Sequence, residues 1–202
     1  AKAQVTAPWI ESFNSPGLPT FWSHGTSNSE NWRFSSNTGH VGNVGNQGNS
    51  SSSGGRFAWV DDSNPHNTGT TLNSPLIDVS GLTTPALSFY TISNNEGHSN
   101  VVFTIDVYDG ANWNLAFYTS NQNTYQGQWE EVLLDLSTLT ITGDIRLRFI
   151  VDEVVGGDYY DDRAIDDIRV FEMPTCPKPS SVAASNITGT TADVSWVENG
   201  SA

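Results

Sequence analysis

Val101-Val102-Phe103-Thr104-Ile105-Asp106-Val107-Tyr108 runs into Asp109-Gly110 and then into Trp113-Asn114-Leu115-Ala116-Phe117-Tyr118. In the first run Val101, Phe103, Ile105 and Val107 alternate with Val102, Thr104, Asp106 and Tyr108. A period of two built from β-branched and aromatic residues predicts a half-buried strand. Asp-Gly is a strong tight-turn dipeptide, so the second run reads as the returning strand of a hairpin. The same grammar recurs outward, at Trp9–Phe13, Phe57–Val60, Ala86–Ile92, Trp129–Leu136, Ile145–Val151 and Ala164–Phe171. No stretch longer than about ten residues keeps a helical period. Many short strands divided by Gly, Pro and Asn predict an all-β sandwich or barrel.

Composition supports a packed domain. Only 36% of the 202 residues are hydrophobic, but 11% are aromatic, including seven Trp, and aromatic side chains bury large areas. Eight basic residues face 22 acidic ones, a net charge of −14. That field repels nucleic acid, anionic membranes and sulfated glycans, and suits a neutral polymer or a divalent cation. No apolar run approaches the roughly 20 residues that span a bilayer, so membrane insertion is not expected. The single cysteine, Cys176, excludes an internal disulfide framework.

Between the strands, Gly39 to Gly55 reads GHVGNVGNQGNSSSSGG, a surface-loop composition with little that could enter a core. A boundary falls near Pro174, where Pro174, Pro177 and Pro179 form a stiff linker. Residues 1–173 are therefore expected to form the sandwich. Residues 174–202 hold two further alternating runs, Ser181–Ile187 and Thr191–Val197, too few to close a core and so expected to begin a second β domain.

The chemistry-bearing residues are mostly carboxylates. Asp166-Asp167 lies inside a strand pattern, between Ile165 and Ile168, and alternation sends one carboxylate toward the core side. A carboxylate there must be paired, hydrogen-bonded or metal-bound. Glu11 poses the same problem in the first strand, and Asp61 and Asp62 end the strand Phe57–Val60 where a loop reaches the same site. Two accounts stand: turn carboxylates bonded to backbone N–H groups, or a calcium ion, which takes six to eight hard oxygens. The run Asp152, Glu153, Asp158, Asp161 and Asp162, broken by Gly156-Gly157, offers a second calcium loop, but it lacks the EF-hand spacing and reads first as a solvated loop.

Catalytic constellations are not evident. His24, His40, His66 and His98 lie in separate polar segments, without an H-E-x-x-H pair, and read as surface histidines. There is no G-x-S-x-G elbow, and the adjacent Glu130 and Glu131 point to opposite faces of a strand. The chain is not expected to be an enzyme. Trp113, Tyr118 and Tyr125 lie amid Asn and Gln side chains, and Tyr159-Tyr160 lie in the acidic loop. Aromatic faces with amide neighbours suit sugar rings, while Trp22, Trp59 and Trp129 read as core.

Four blocks in fixed order carry a family resemblance. They are Ile10-Glu11-Ser12-Phe13 with Phe21-Trp22, Asn73-Ser74-Pro75-Leu76-Ile77 before Leu87-Ser88-Phe89-Tyr90, Gly127-Gln128-Trp129, and Ala164-Ile165-Asp166-Asp167-Ile168-Arg169-Val170. This set, spanning about residues 8 to 172, resembles MAM domains and bacterial cleaved-adhesin domains. The paired cysteines of animal MAM domains are missing, which places the chain nearer the bacterial branch. The tail from Cys176-Pro177 to Ser195-Trp196 resembles the start of a fibronectin type III domain. The resemblance implies an antiparallel jelly-roll β-sandwich with a structural calcium ion and no active site. It also implies a secreted or cell-surface accessory module that binds a glycan or a cell-surface protein; the alternative is a structural spacer or domain-interaction module whose contacts are made to neighbouring domains. The expected calcium ligands are Glu11, Asn14, Asp61, Asp62, Asp166 and Asp167, with Asn14 standing where the family pattern carries an acid.

Overall fold

The computed structural model describes residues 3–25, 30–36, 55–63, 66–93, 101–120, 129–153, 161–175 and 179–198. Tyr125, Tyr159, Tyr160 and most of the glycine-rich loop lie outside these described residues. The chain divides into two compact units, Ala1–Glu172 and Met173–Ala202.

In chain order the strands of the first unit are β1 (Gln4–Thr6), β2 (Trp9–Glu11), β3 (Ser23–His24), β4 (Arg33–Ser35), β5 (Phe57–Val60), β6 (Thr70–Asn73), β7 (Leu76–Asp78), β8 (Pro85–Ser93), β9 (Val101–Tyr108), β10 (Trp113–Thr119), β11 (Glu130–Asp135), β12 (Arg146–Glu153) and β13 (Arg163–Glu172). One antiparallel sheet has the order β10-β9-β12-β6-β3. The other has the order β11-β8-β13-β5-β4, with β2 also paired to β13. The two sheets make a jelly-roll sandwich, and β1 and β7 form a small parallel pair beside it. The second unit contributes one antiparallel hairpin, β14 (Ser180–Ser185) with β15 (Asp193–Val197).

Alternation builds the core. Val101, Phe103, Ile105 and Val107 of β9 are all fully buried, as are Leu147 and Phe149 of β12. Phe103 stacks on Phe149 at 6.4 Å and meets the edges of Phe89, Trp32 and Tyr118. The Trp32 indole N–H donates to the Thr70 carbonyl at 3.0 Å, which satisfies its one polar atom inside the sandwich. β5 is buried on both faces. Its Ala58 and Val60 enter the main core, and its Phe57 and Trp59 join Ile92 and Ala164 on the other side, with Trp129 packed against them.

The Asp109-Gly110 turn closes the β9–β10 hairpin as expected. Asp109 Oδ1 accepts from the amides of Ala111 and Asn112, and Asn114 Nδ2 donates to its Oδ2. Gly110 sits at φ +100°, and a Cβ there would meet the Gly143 backbone nitrogen at 2.4 Å. Only glycine fits that approach.

Candidate cation site at a strand seam

β13 changes partner halfway along its length. Arg163 to Ile165 pair with β5, whereas Ile168 to Val170 pair with β2. Asp166 and Asp167 fall at the seam between the two, and Glu11 on β2 lies opposite Ile168.

A bulge makes the seam. Against β8, Asp166 faces Tyr90 and Arg169 faces Ser88, so one extra residue of β13 is inserted there. Asp167 takes up the insertion at φ +49°, a left-handed conformation that Asp tolerates better than most residues. The insertion shifts the alternation by one place, and both Ile165 and Ile168 thereby reach the main core. Simple alternation would bury one of the two carboxylates; with the bulge both are buried, at 0% and 1% exposure.

These carboxylates are not satisfied by protein. Asp166 Oδ1 accepts from the Asp167 amide at 2.8 Å, but Asp166 Oδ2 and both oxygens of Asp167 are buried without a hydrogen-bond partner. Burial pushes the Asp166 carboxyl up to about 8, and the charges of Asp167 and Glu11 add to it. Burial also raises Glu11, partly offset by the Phe13 amide, which donates to Glu11 Oε1 at 2.9 Å. Three orphan oxygens beside a third carboxylate make an incomplete set of hard-oxygen ligands, the donor chemistry of calcium. Asn14 is exposed, and its Nδ2 donates to Ser12 Oγ at 3.0 Å.

Asp61 and Asp62 do not join this seam. β5 runs antiparallel to β13, with Val60 opposite Arg163, so Asp62 is carried toward Asp161 and away from Asp166. The Asp161 amide donates to Asp62 Oδ2, and the Asp62 amide donates to Asp162 Oδ1. Four residues of extended strand separate Asp162 from Asp166, roughly 13 Å. Asp61 instead forms an ion pair with Arg33, whose guanidinium also lies over the Trp59 ring. Of the acidic run, Glu153, Asp161 and Asp162 are buried rather than solvated, and Asp158 lies outside the described residues. His66, expected at the surface, has a side chain only 11% exposed and lies against Asp62 and Glu153.

The aromatic candidates separate. Trp113, half-buried on β10, carries the Arg148 guanidinium 4.1 Å above its ring and Tyr108 at 5.6 Å. Arg148 is held in turn by Asp106, which also accepts from the Ala116 amide at 2.7 Å. Tyr118 turns its ring inward, in edge contact with Phe89 at 5.5 Å, and so serves the rim of the core. Among the described residues, no helix is long and apolar enough to cross a membrane.

Comparison with known proteins agrees with this architecture. Residues 12–177 match the family described as MAM domain, meprin/A5/mu. No curated protein matches the chain. Among solved structures, the chain is similar to the K1 cleaved adhesin domain of Lys-gingipain from Porphyromonas gingivalis W83, with a TM-score of 0.57 at 12% identity, covering 82% of this chain and 98% of that one. The K2 cleaved adhesin domain of Lys-gingipain gives a TM-score of 0.54 at 16% identity, covering 82% of this chain and 99% of that one. At these identities the likeness is one of fold.

Proposed function

The chain belongs to the MAM domain family, and from that premise we propose that it is a non-catalytic accessory module of a secreted or cell-surface protein, built around a structural calcium ion and binding a glycan or a cell-surface protein. The observation that carries this reading is the seam. Two adjacent buried carboxylates with three unpartnered oxygens are costly to a folded core, and a bound cation would compensate them. Glu11, Asp166 and Asp167 would hold the ion, with backbone carbonyls and water completing its shell. Bound calcium supplies positive charge that cancels their mutual repulsion and ties β2 to the bulge of β13. That role is structural: it fixes the strand seam and leaves the outer surfaces free for contacts.

The binding half draws support from the family and from the fold shared with domains named as adhesins. Trp113, propped by Arg148 on the solvent side of its sheet, is the aromatic residue best placed among the described candidates to meet a ligand. Retardation in gels containing neutral polysaccharides, together with binding to surface-displayed proteins, tests this half. Retention that Trp113→Ala weakens supports it, and no retention on any polymer or protein sinks it. Release of reducing ends by the purified chain would overturn the non-catalytic reading.

A further inference from the structure

A second cluster lies at one end of the sandwich, where chain segments cross between the two sheets. Asp62 follows β5 of one sheet, Glu153 ends β12 of the other, and His66 lies on the connection from β5 to β6. The ligand atoms of these three residues all lie within 4.8 Å of one another. We infer that Asp62, His66 and Glu153 form a binding site for a divalent first-row transition ion of the zinc type, separate from the seam.

The distances favour shared ligation over ordinary hydrogen bonding. His66 Nδ1 lies 3.3 Å from Asp62 Oδ1 and 3.6 Å from Glu153 Oε2. An imidazole nitrogen carries at most one proton, so it makes at most one linear hydrogen bond to the pair, or a weaker bifurcated one. Both distances also exceed the roughly 2.7–2.9 Å of a charge-assisted bond. Donor atoms about 2.0–2.1 Å from a tetrahedral ion lie roughly 3.3 Å apart, close to the two spacings from His66 to its carboxylates.

Glu153 is the independent sign of a missing partner. Its side chain is fully buried, Oε2 accepts from the Asn67 amide at 3.0 Å, and Oε1 receives no N–H donor. Burial, a hydrogen bond shared with the Glu30 carboxyl, itself an acid, and the charges of Glu30 and Asp62 push Glu153 up to about 9. Asp161 and Asp162 are buried alongside, and the opposing charges are Arg163, which favours ionised Asp161, and Arg33, which lies 4.0 Å from Glu30. The positions of the ligands are themselves fixed. Asp62 Oδ2 is held by the Asp161 amide, which aims Oδ1 at His66, and the Glu153 amide donates to the Asn67 carbonyl beside His66. The imidazole selects the metal: calcium prefers an all-oxygen shell, whereas imidazole with carboxylates suits zinc and its neighbours.

The test is zinc titration of the full chain in excess calcium, followed by calorimetry and by the 15N shifts of the imidazoles. One Zn2+ per chain is expected, with the His66 ring nitrogens shifted and the other histidines unmoved. Binding should weaken at least tenfold in His66→Gln and in Glu153→Gln, and remain unchanged in Gly81→Ala, where an added Cβ meets nothing within 4 Å. The ring-nitrogen shift is read on the wild-type chain, so the conclusion survives if either variant folds poorly. Zinc binding that leaves the His66 resonances in place, or that excess calcium abolishes, would overturn the inference.

Discussion

Replacing Asp167 by Asn should stabilise the domain without calcium and destabilise it with calcium. Asn is nearly isosteric and accepts the φ of +49° at the bulge about as readily as Asp, so the backbone contributes little to the difference. What changes is charge. Without the ion, Asp167 is a buried carboxylate beside Asp166 and Glu11, with neither oxygen partnered. Two unit charges about 5 Å apart at an effective dielectric near 20 repel by roughly 3 kcal/mol, and partial protonation of Asp166 reduces the relief to about 1–2 kcal/mol. With calcium, the variant loses an anionic ligand. An ion at a hundred times its dissociation constant contributes about 2.7 kcal/mol to the wild type, and much of that would be forfeited. For a domain of this size each kcal/mol moves Tm by about 2–4 °C. The variant should therefore melt a few degrees above the wild type in calcium-stripped buffer and several degrees below it in millimolar calcium. Calorimetry of both chains in both buffers reads the crossing directly. Equal destabilisation in the two buffers would refute the reasoning, because Asp167 would then act through hydrogen bonds that do not depend on calcium.

Phe103→Ala removes a fully buried ring that touches Phe89, Phe149, Trp32 and Tyr118, and should cost about 3–5 kcal/mol in urea unfolding. Gly110→Ala forces a Cβ onto the Gly143 backbone at a positive φ, and should cost about 2–4 kcal/mol. Gly81→Ala, with nothing within 4 Å of the added carbon, serves as the control and should change stability by less than about 0.5 kcal/mol. The hairpin should also respond to acid. Hydrogen bonds from the Asn112 amide, the Asn114 side chain and the Ala111 amide hold the Asp109 carboxyl below its usual range. Its stabilising contribution is complete above the ordinary Asp value and is lost as pH falls through the depressed one. Amide shifts of Ala111 and Asn112 should follow that low titration in the wild type and be flat in Asp109→Asn.

β9 and β12 were legible because their burial is written almost every second residue. Apart from the buried Asp106, VVFTIDVY alternates in the structure as it does in the sequence, and the run from Arg146 to Glu153 alternates throughout. β3, β4 and β6 were not legible: Ser23–His24, Arg33–Ser35 and Thr70–Asn73 are short and largely polar, and are held by pairing with neighbouring strands. Glu11 and Asp166-Asp167 could be singled out because acids interrupt an apolar strand pattern. The bulge that buries both aspartates could not, since the left-handed position carries Asp where a glycine would have signalled it. The grouping of Asp62 was misread for a related reason. Strand register, which sends it toward Asp161, is a property of pairing and has no local mark in the chain. His66 gave no sign at all, because its partner Glu153 is brought to it only by the crossing between sheets.

A crystal structure grown in calcium tests the central claim most directly. One ion should lie at the seam between β2 and β5, with oxygens of Glu11, Asp166 and Asp167 about 2.3–2.6 Å away. Electron density in which those oxygens bond only to water or backbone amides, with the site empty at millimolar calcium, would contradict it.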